Sequence, residues 1–194
     1  MNKVTPEKRR QVVLSDANVI YSRVLRDYLL YSASEGLISI TWSNAILDEA
    51  VKHLVANVPD FTEENGNLLK TLMNDAYPLA LIDPEQKHFE LLDGITLPDE
   101  GDIHVLAAAI AAEADIICTA NTKDFPRAAL EPLGLEVMTP DAMLCELICE
   151  YPEEMLAVHK TVVCKLKGAT DNSTVVALSM AGAADFSASI KILL

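Results

Sequence analysis

Hydrophobic positions along this chain switch between two spacings, and the switches mark its elements. "QVVLSDANVI" begins with a β-branched run that ends at Ser15 and Asp16, the pattern of a buried strand. In "YSRVLRDYLLYSASEG" the apolar residues Val24, Leu25, Tyr28 and Leu29 recur at helical spacing, and Gly36 ends the run. "LISITW" predicts a second strand. It leads into the helical "SNAILDEAVKHLVANV", with Ser43 or Asn44 as N-cap. The helical spacing continues in "FTEENGNLLKTLMNDAYP", with an interruption expected at Gly66 and an end at Pro78. "LALID" is a brief third strand candidate.

A helix is then expected from about Asp102 to Glu113, followed by a fourth strand, "IICTA", and a turn, "NTKDFP". "LEVMT" is a fifth strand candidate. "PDAMLCELICEYP" reads as a helix with Pro140 in its first turn and Pro152 just beyond its end. Strands alternating with helices predict an α/β fold of three layers, α/β/α, around a mainly parallel five-stranded sheet. From Glu153 the pattern loosens. "KGATDNSTVVALSMAGAADFSASIKILL" predicts two short helices separated near Gly182 and no strand. The expected organisation is one main unit over residues 1–150 and a helical appendage over 151–194.

In an open parallel sheet, ligands bind outside the carboxyl ends of the strands, where strand order reverses. That rule selects Asp16 after the first strand, and Asn121 and Asp124 after "IICTA". Glu49 lies one to two turns into the helix after "LISITW", and Asp102 opens the helix before "IICTA". Each has a plainer reading: Asp102 as a helix cap, Glu49 on a solvated face, Asp124 as a turn residue. Asp16 is different, because an acid at the end of an apolar strand is partly buried and a lone charge there is costly. Like charges about 4 Å apart repel by ~4 kcal/mol at an effective dielectric near 20. Several carboxylates gathered there would protonate, splay apart or bind a hard cation such as Mg²⁺. His104, about 200° around the helix from Asp102, is expected as a hydrogen-bonding or core residue.

Composition changes this picture only in part. The chain has 194 residues, and its apolar fraction of 51% can build a sizeable core. No run approaches the ~18 apolar residues of a membrane helix, and the start has no apolar stretch of a secretory signal, so a cytoplasmic protein is expected. Cys145 and Cys149 share a helical face without visible partners for a zinc site, and are expected in the core. The net charge of −14 argues against nucleic acid, yet its distribution weakens that exclusion. Residues 1–30 carry six basic against three acidic groups, residues 31–158 five against twenty-four, and residues 159–194 four against two. Cations in an acidic pocket would invert its sign toward phosphate.

Three segments carry a family resemblance. "VLSDANVIYS", "WSNAILDEA" and "LPDEGDIHVLAAAIAAEADIICTANTKDFP" resemble the acidic motifs of PIN-domain ribonucleases, of the kind that serve as VapC-type toxins of toxin–antitoxin pairs. The likeness covers roughly residues 11 to 150, and the segment after 152 resembles a subgroup with extra C-terminal helices. It implies that Asp16, Glu49 and Asp102 form an acidic triad, with Asn121 or Asp124 at the fourth position and Asp99 as a further acid. Glu100 and Gly101 stand where Pro and Asp are more usual, which bears on how many metals bind. The resemblance also implies a Mg²⁺- or Mn²⁺-dependent endoribonuclease acting on single-stranded RNA, a cognate antitoxin and a homodimer. Lys3, Lys8, Arg9, Arg10, Lys160, Lys165 and Lys167, in the basic ends, are candidates for contacting RNA backbone.

Two rivals stand beside this. One is a catalytically silent PIN-like binding module, against which the presence of all three acids counts. The other is a phosphotransfer or dehalogenase-like enzyme, which also places an Asp after its first strand and uses a Lys such as Lys123. Neither GxGxxG nor a P-loop is present, which excludes the usual dinucleotide and nucleotide sites.

Overall fold

A computed structural model of the chain describes residues 9–194, so Lys3 and Lys8 lie outside the described residues. The sheet is built from β1 (Val12–Ser15), β2 (Ser39–Thr41), β3 (Ile116–Cys118) and β4 (Glu136–Met138). Their order is β2-β1-β3-β4, and every pairing is parallel. Val13, Leu14 and Ser15 are all buried, as are Ile116, Ile117 and Cys118. Successive side chains on a strand point to opposite faces, so these strands are covered on both sides and the fold is a three-layer α/β/α sandwich.

The third strand candidate, "LALID", does not form, so the sheet has four strands and not five. Leu81 makes a single parallel bridge with Trp42, and no ladder extends from it. Leu79 is 88% exposed, so the segment lacks the two buried faces that hold a central strand.

The helices are α1 (Ala17–Tyr21), α2 (Arg23–Ser34), α3 (Asn44–Asn57), α4 (Glu63–Ala76), α5 (Gln86–Glu90), α6 (Ile103–Ala111), α7 (Arg127–Leu130), α8 (Pro140–Glu150), α9 (Pro152–Lys165), α10 (Asp171–Met180) and α11 (Ala184–Leu193). The single helix expected after β1 is broken at Ser22, whose extended backbone separates α1 from α2. Ser43 is the N-cap of α3, with Oγ accepting from the Ile46 N–H at 3.3 Å. Gly66 does not interrupt α4. It is buried against Val51, and a Cβ there would lie 2.3 Å from Val51 Cγ1, so the residue serves close helix approach. The chain end carries three helices, with α10 and α11 separated at Gly182 and α9 unforeseen.

One apolar cluster joins the sheet to these last helices. It runs from Val13, Leu14 and Ile117 through Tyr28 and Leu29 to Met155, Val162, Phe186 and Ile190. Of the two cysteines expected inside α8, Cys145 is half-buried and Cys149 is exposed, because α8 turns Met143, Leu144 and Leu147 to the core instead.

Candidate active site at the carboxyl ends of β1 and β3

The chain leaves β1 toward β2 on one side and returns to β3 on the other, so strand order reverses at β1/β3. Asp16 and Thr119 sit at the carboxyl ends of these two strands, where the Asp16 N–H donates to the Cys118 carbonyl at 3.0 Å. Asp16 is 6% exposed. Its Oδ1 accepts from the Ala17 N–H at 2.7 Å, and its Oδ2 accepts from Asn18 Nδ2 and Thr119 Oγ1, both at 2.6 Å. Burial pushes its carboxyl above the usual range, while the Thr119 and Ala17 hydrogen bonds pull it back. A carboxylate offers about four lone-pair sites. The three bonds leave one on Oδ1.

Asn18 and Thr119 lock this arrangement. Asn18 Nδ2 also reaches Thr119 Oγ1 at 2.8 Å, and its Oδ1 accepts from the Ala120 N–H at 2.8 Å. Thr119 Oγ1 accepts in addition from the Asn121 N–H at 3.0 Å. Beyond it, the Asn121 side-chain amide donates to Asp124 Oδ2 in the short helical turn Thr122–Asp124.

Glu49, on α3, faces this point from the side. Its Oε2 lies 3.5 Å from His104 Nε2 and its Oε1 lies 3.7 Å from His53 Nε2. His104 Nδ1 is 2.7 Å from the Gly101 carbonyl. A carbonyl can only accept, so Nδ1 carries the proton and a neutral ring would turn its Nε2 lone pair toward the carboxylate. Protonation of His104 removes that clash, and the pair accordingly holds His104 above and Glu49 below their ordinary ranges.

Asp102 ends the helical turn Glu100–Asp102 at the start of α6. Its side chain makes no cap hydrogen bond, contrary to the expectation that it caps the helix. Asp99 caps instead, with Oδ1 accepting from the Gly101 N–H at 2.8 Å. Freed from that duty, the Asp102 carboxyl is pushed up to about 6, first by burial and then by Asp16, Asp124, Asp99 and Glu49. Asp16, Glu49, Asp99 and Asp124 therefore all lie within electrostatic reach of Asp102.

No three His, Cys, Asp or Glu side chains among the described residues close tightly enough to cage an ion. The donor set still fits a hard cation. It is all oxygen and carries an open lone-pair site on Asp16, and burial together with the neighbouring acids raises Asp102. Mg²⁺ uses one or two carboxylates and keeps several waters, so it needs no closed cage.

Sequence reasoning missed the roles of Asn18, Thr119 and His53. The Asp-x-Asn spacing of Asp16 and Asn18 and the threonine ending "IICT" were the available signals. Arg9 and Arg10 go the other way. Arg9 pairs with Asp115 at 3.6 Å, at the amino end of β3, so it lies at the opposite edge of the sheet from the acids. Arg10 neighbours Gly36, before the start of β2.

A PIN domain model matches residues 12–123, more than half of the chain, and the chain belongs to that family. Over 57 residues it is 42% identical to a protein of Mycobacterium tuberculosis named "Putative ribonuclease VapC50". That stretch covers 29% of this chain and 34% of the relative, so the chain spans about a third of the relative it matches. No solved structure matches the chain significantly. Among the described residues, no helix is long and apolar enough to cross a membrane.

Proposed function

We propose that the chain is a divalent-metal-dependent endoribonuclease of single-stranded RNA, serving as the cytoplasmic toxin of a type II toxin–antitoxin pair. In this reading residues 1–150 form the nuclease unit and residues 151–194 a helical appendage behind it. The observation that carries it is Asp102, a carboxyl without a cap hydrogen bond, raised to about 6 by burial and four neighbouring acids. Such repulsion is costly for a fold to keep unless a cation relieves it. The relative named for ribonuclease activity supports the same direction.

Asp16, Glu49, Asp102 and Asp124 are the residues that would hold Mg²⁺ or Mn²⁺, with Asn121 and Asp99 as supporting oxygen donors. When bound, such an ion supplies an activated water and neutralises charge on the phosphate. Asp16 is held by three hydrogen bonds, so its open lone pair keeps one direction. Thr119 and Asn18 fix that direction across the β1/β3 switch point. His104 and His53 hold Glu49 on the near side of α3. No side chain at this mouth is placed as a covalent nucleophile, so water is the attacking group. A basic side chain of an antitoxin entering the acidic mouth would compete with the metal, and two copies of the chain would pair as a homodimer.

Cleavage of a labelled single-stranded RNA in Mg²⁺ or Mn²⁺ tests this. Asp16→Asn is expected to lower turnover at least about a hundredfold, the scale of losing one organised electrostatic group. Excess chelator is expected to abolish cleavage, and Mn²⁺ to raise the melting temperature of the wild type. Undiminished cleavage in chelator removes the reading. Absence of both cleavage and Mn²⁺ stabilisation gives the chain to a silent binding module.

A further inference from the structure

Two hollows meet at Tyr21, the last residue of α1. The smaller, of about 330 Å³, is lined by Asn18, Tyr21, Glu49, His53 and Asn57. It shares Asn18 and Glu49 with the acidic mouth, so it opens directly beside it. The larger, of about 740 Å³, includes Tyr21, Arg23, Arg26, Asp27, Phe61 and Lys165 in its lining. A half-buried aromatic ring therefore forms the ridge between the acids and a groove of a different character.

The groove is cationic in a chain of net charge −14. Three of its lining residues are basic and one is acidic. The cations are not equivalent. Arg26 is spent on structure: its side chain is 12% exposed and donates to the Ile20 carbonyl at 2.8 Å, tying α2 to α1. Arg23 is 69% exposed and only loosely opposed by Asp27 at 3.9 Å. Lys165, at the end of α9, is exposed and has no ion pair among the described residues. Two solvated cations over an aromatic floor suit a phosphodiester backbone better than an apolar ligand.

The smaller hollow suits a base. Asn57 Nδ2 is engaged by the His53 carbonyl at 2.9 Å, which leaves its Oδ1 free to accept from a base amino or imino group. The Tyr21 hydroxyl makes no hydrogen bond among the described residues, so the ring carries no polar tether. Single strands are held by stacking of bases on aromatic rings beside a basic track.

We propose that the RNA strand next to the scissile phosphate crosses Tyr21, stacking one nucleobase on its ring in the small hollow against Asn57. The following backbone phosphates lie in the larger groove on Arg23 and Lys165. The inference rests on the ribonuclease reading and adds its substrate path: the acidic mouth would take the scissile phosphate, and the strand's remaining charge is met on the far side of Tyr21.

The test pairs cleavage kinetics in Mn²⁺ with binding of a mixed-sequence single-stranded RNA in chelator, on full-length protein. Tyr21→Leu is expected to raise KM and Kd between about five- and a hundredfold, the range of one lost stack, with the loss concentrated in KM. Tyr21→Phe keeps the ring and is expected to restore both. The double variant Arg23→Ala, Lys165→Ala is expected to flatten the slope of log Kd against log salt by about 1.4, or roughly 0.7 per lost phosphate contact on a single strand. Both cations are exposed, so this variant folds normally, and a thermal melt checks it. Wild type that cleaves RNA while these variants keep its KM, Kd and salt slope overturns the path and leaves the nuclease reading intact. If the variants lose a protein partner but keep RNA affinity, the groove belongs to that partner and the path falls. Wild type that neither binds nor cleaves RNA overturns both.

Discussion

At the scale of single residues, the proposed metal role of Asp102 stands in opposition to stability. Its carboxyl is raised from 3.8 to about 6, so the folded protein keeps a proton that the unfolded chain releases between those values. A raised carboxyl stabilises the fold below about pH 4, and this contribution is lost as pH rises through 6. Asp102→Asn removes the penalty. In chelator at pH 7.5 the variant is expected to melt about 2 °C above wild type, since the site is half-solvated and worth under ~1 kcal/mol. The gap should narrow as pH falls below 6 and close near pH 4, where the unfolded chain takes up the proton as well. Mn²⁺ should reverse the order by stabilising the wild type alone. A variant that melts lower at every pH would show that Asp102 holds the fold together.

The same residues show how much of the mouth was legible in the chain. Asp16, Asn121 and Asp124 could be selected because a parallel sheet gathers strand ends at one edge, and Glu49 and Asp102 through the family resemblance. Their supporting contacts could not. That Thr119 bonds Asp16, and that His104 meets Glu49, depends on which strand neighbours β1 and which face of α6 meets α3. Pairwise order of this kind leaves no local period to read. The capping duty of Asp99 was hidden for a related reason: three acids in four positions are equivalent until the helical turn at Glu100–Asp102 picks one.

Elements were legible where burial is one-sided or complete and illegible where packing overrides propensity. β3 is buried throughout and β1 from Val13 onward, and both read clearly as apolar runs. "LALID" has the same local look, but its exposed Leu79 and single bridge show that composition cannot supply a neighbour to pair with. Gly66 inverts the lesson, because a residue that reads as a helix breaker lets α4 approach α3. Its Cβ would need to share space with Val51, and such overpacking costs ~1–3 kcal/mol. Gly66→Ala is therefore expected to lower the urea midpoint in spite of alanine's better helix propensity. Val51→Ala in the same chain should recover part of the loss. The coupling between the two changes, expected above ~0.5 kcal/mol, is the quantity to measure. A Gly66→Ala protein as stable as wild type would mean that the two helices are free to slide apart.

On the scale of the whole molecule, the C-terminal helices are tied to the sheet layers by one buried polar chain. Tyr28 on α2 donates its hydroxyl to His159 Nδ1 at 2.5 Å, and His159 Nε2 donates to Asp171 at 3.2 Å, so three helices meet at one ring. The His159 side chain is fully buried, and that burial lowers its proton affinity, with Asp171 opposing. The neutral ring suits this chain, since Nδ1 must keep its lone pair to accept from Tyr28. For a histidine whose folded value lies below 6.5, stability is fully present above that pH. It falls as pH drops toward the folded value, where only the unfolded chain takes the proton. The slope for one group cannot exceed ~1.4 kcal/mol per pH unit. His104, raised beside Glu49, acts with the opposite sign, so the informative quantity is the difference between wild type and His159→Gln. Urea unfolding from pH 8 to 5 should show the wild type losing more stability than the variant below about 6.5. Parallel curves for the two proteins would mean that the ring is free to protonate in place, and that α9 and α10 do not depend on its neutral form.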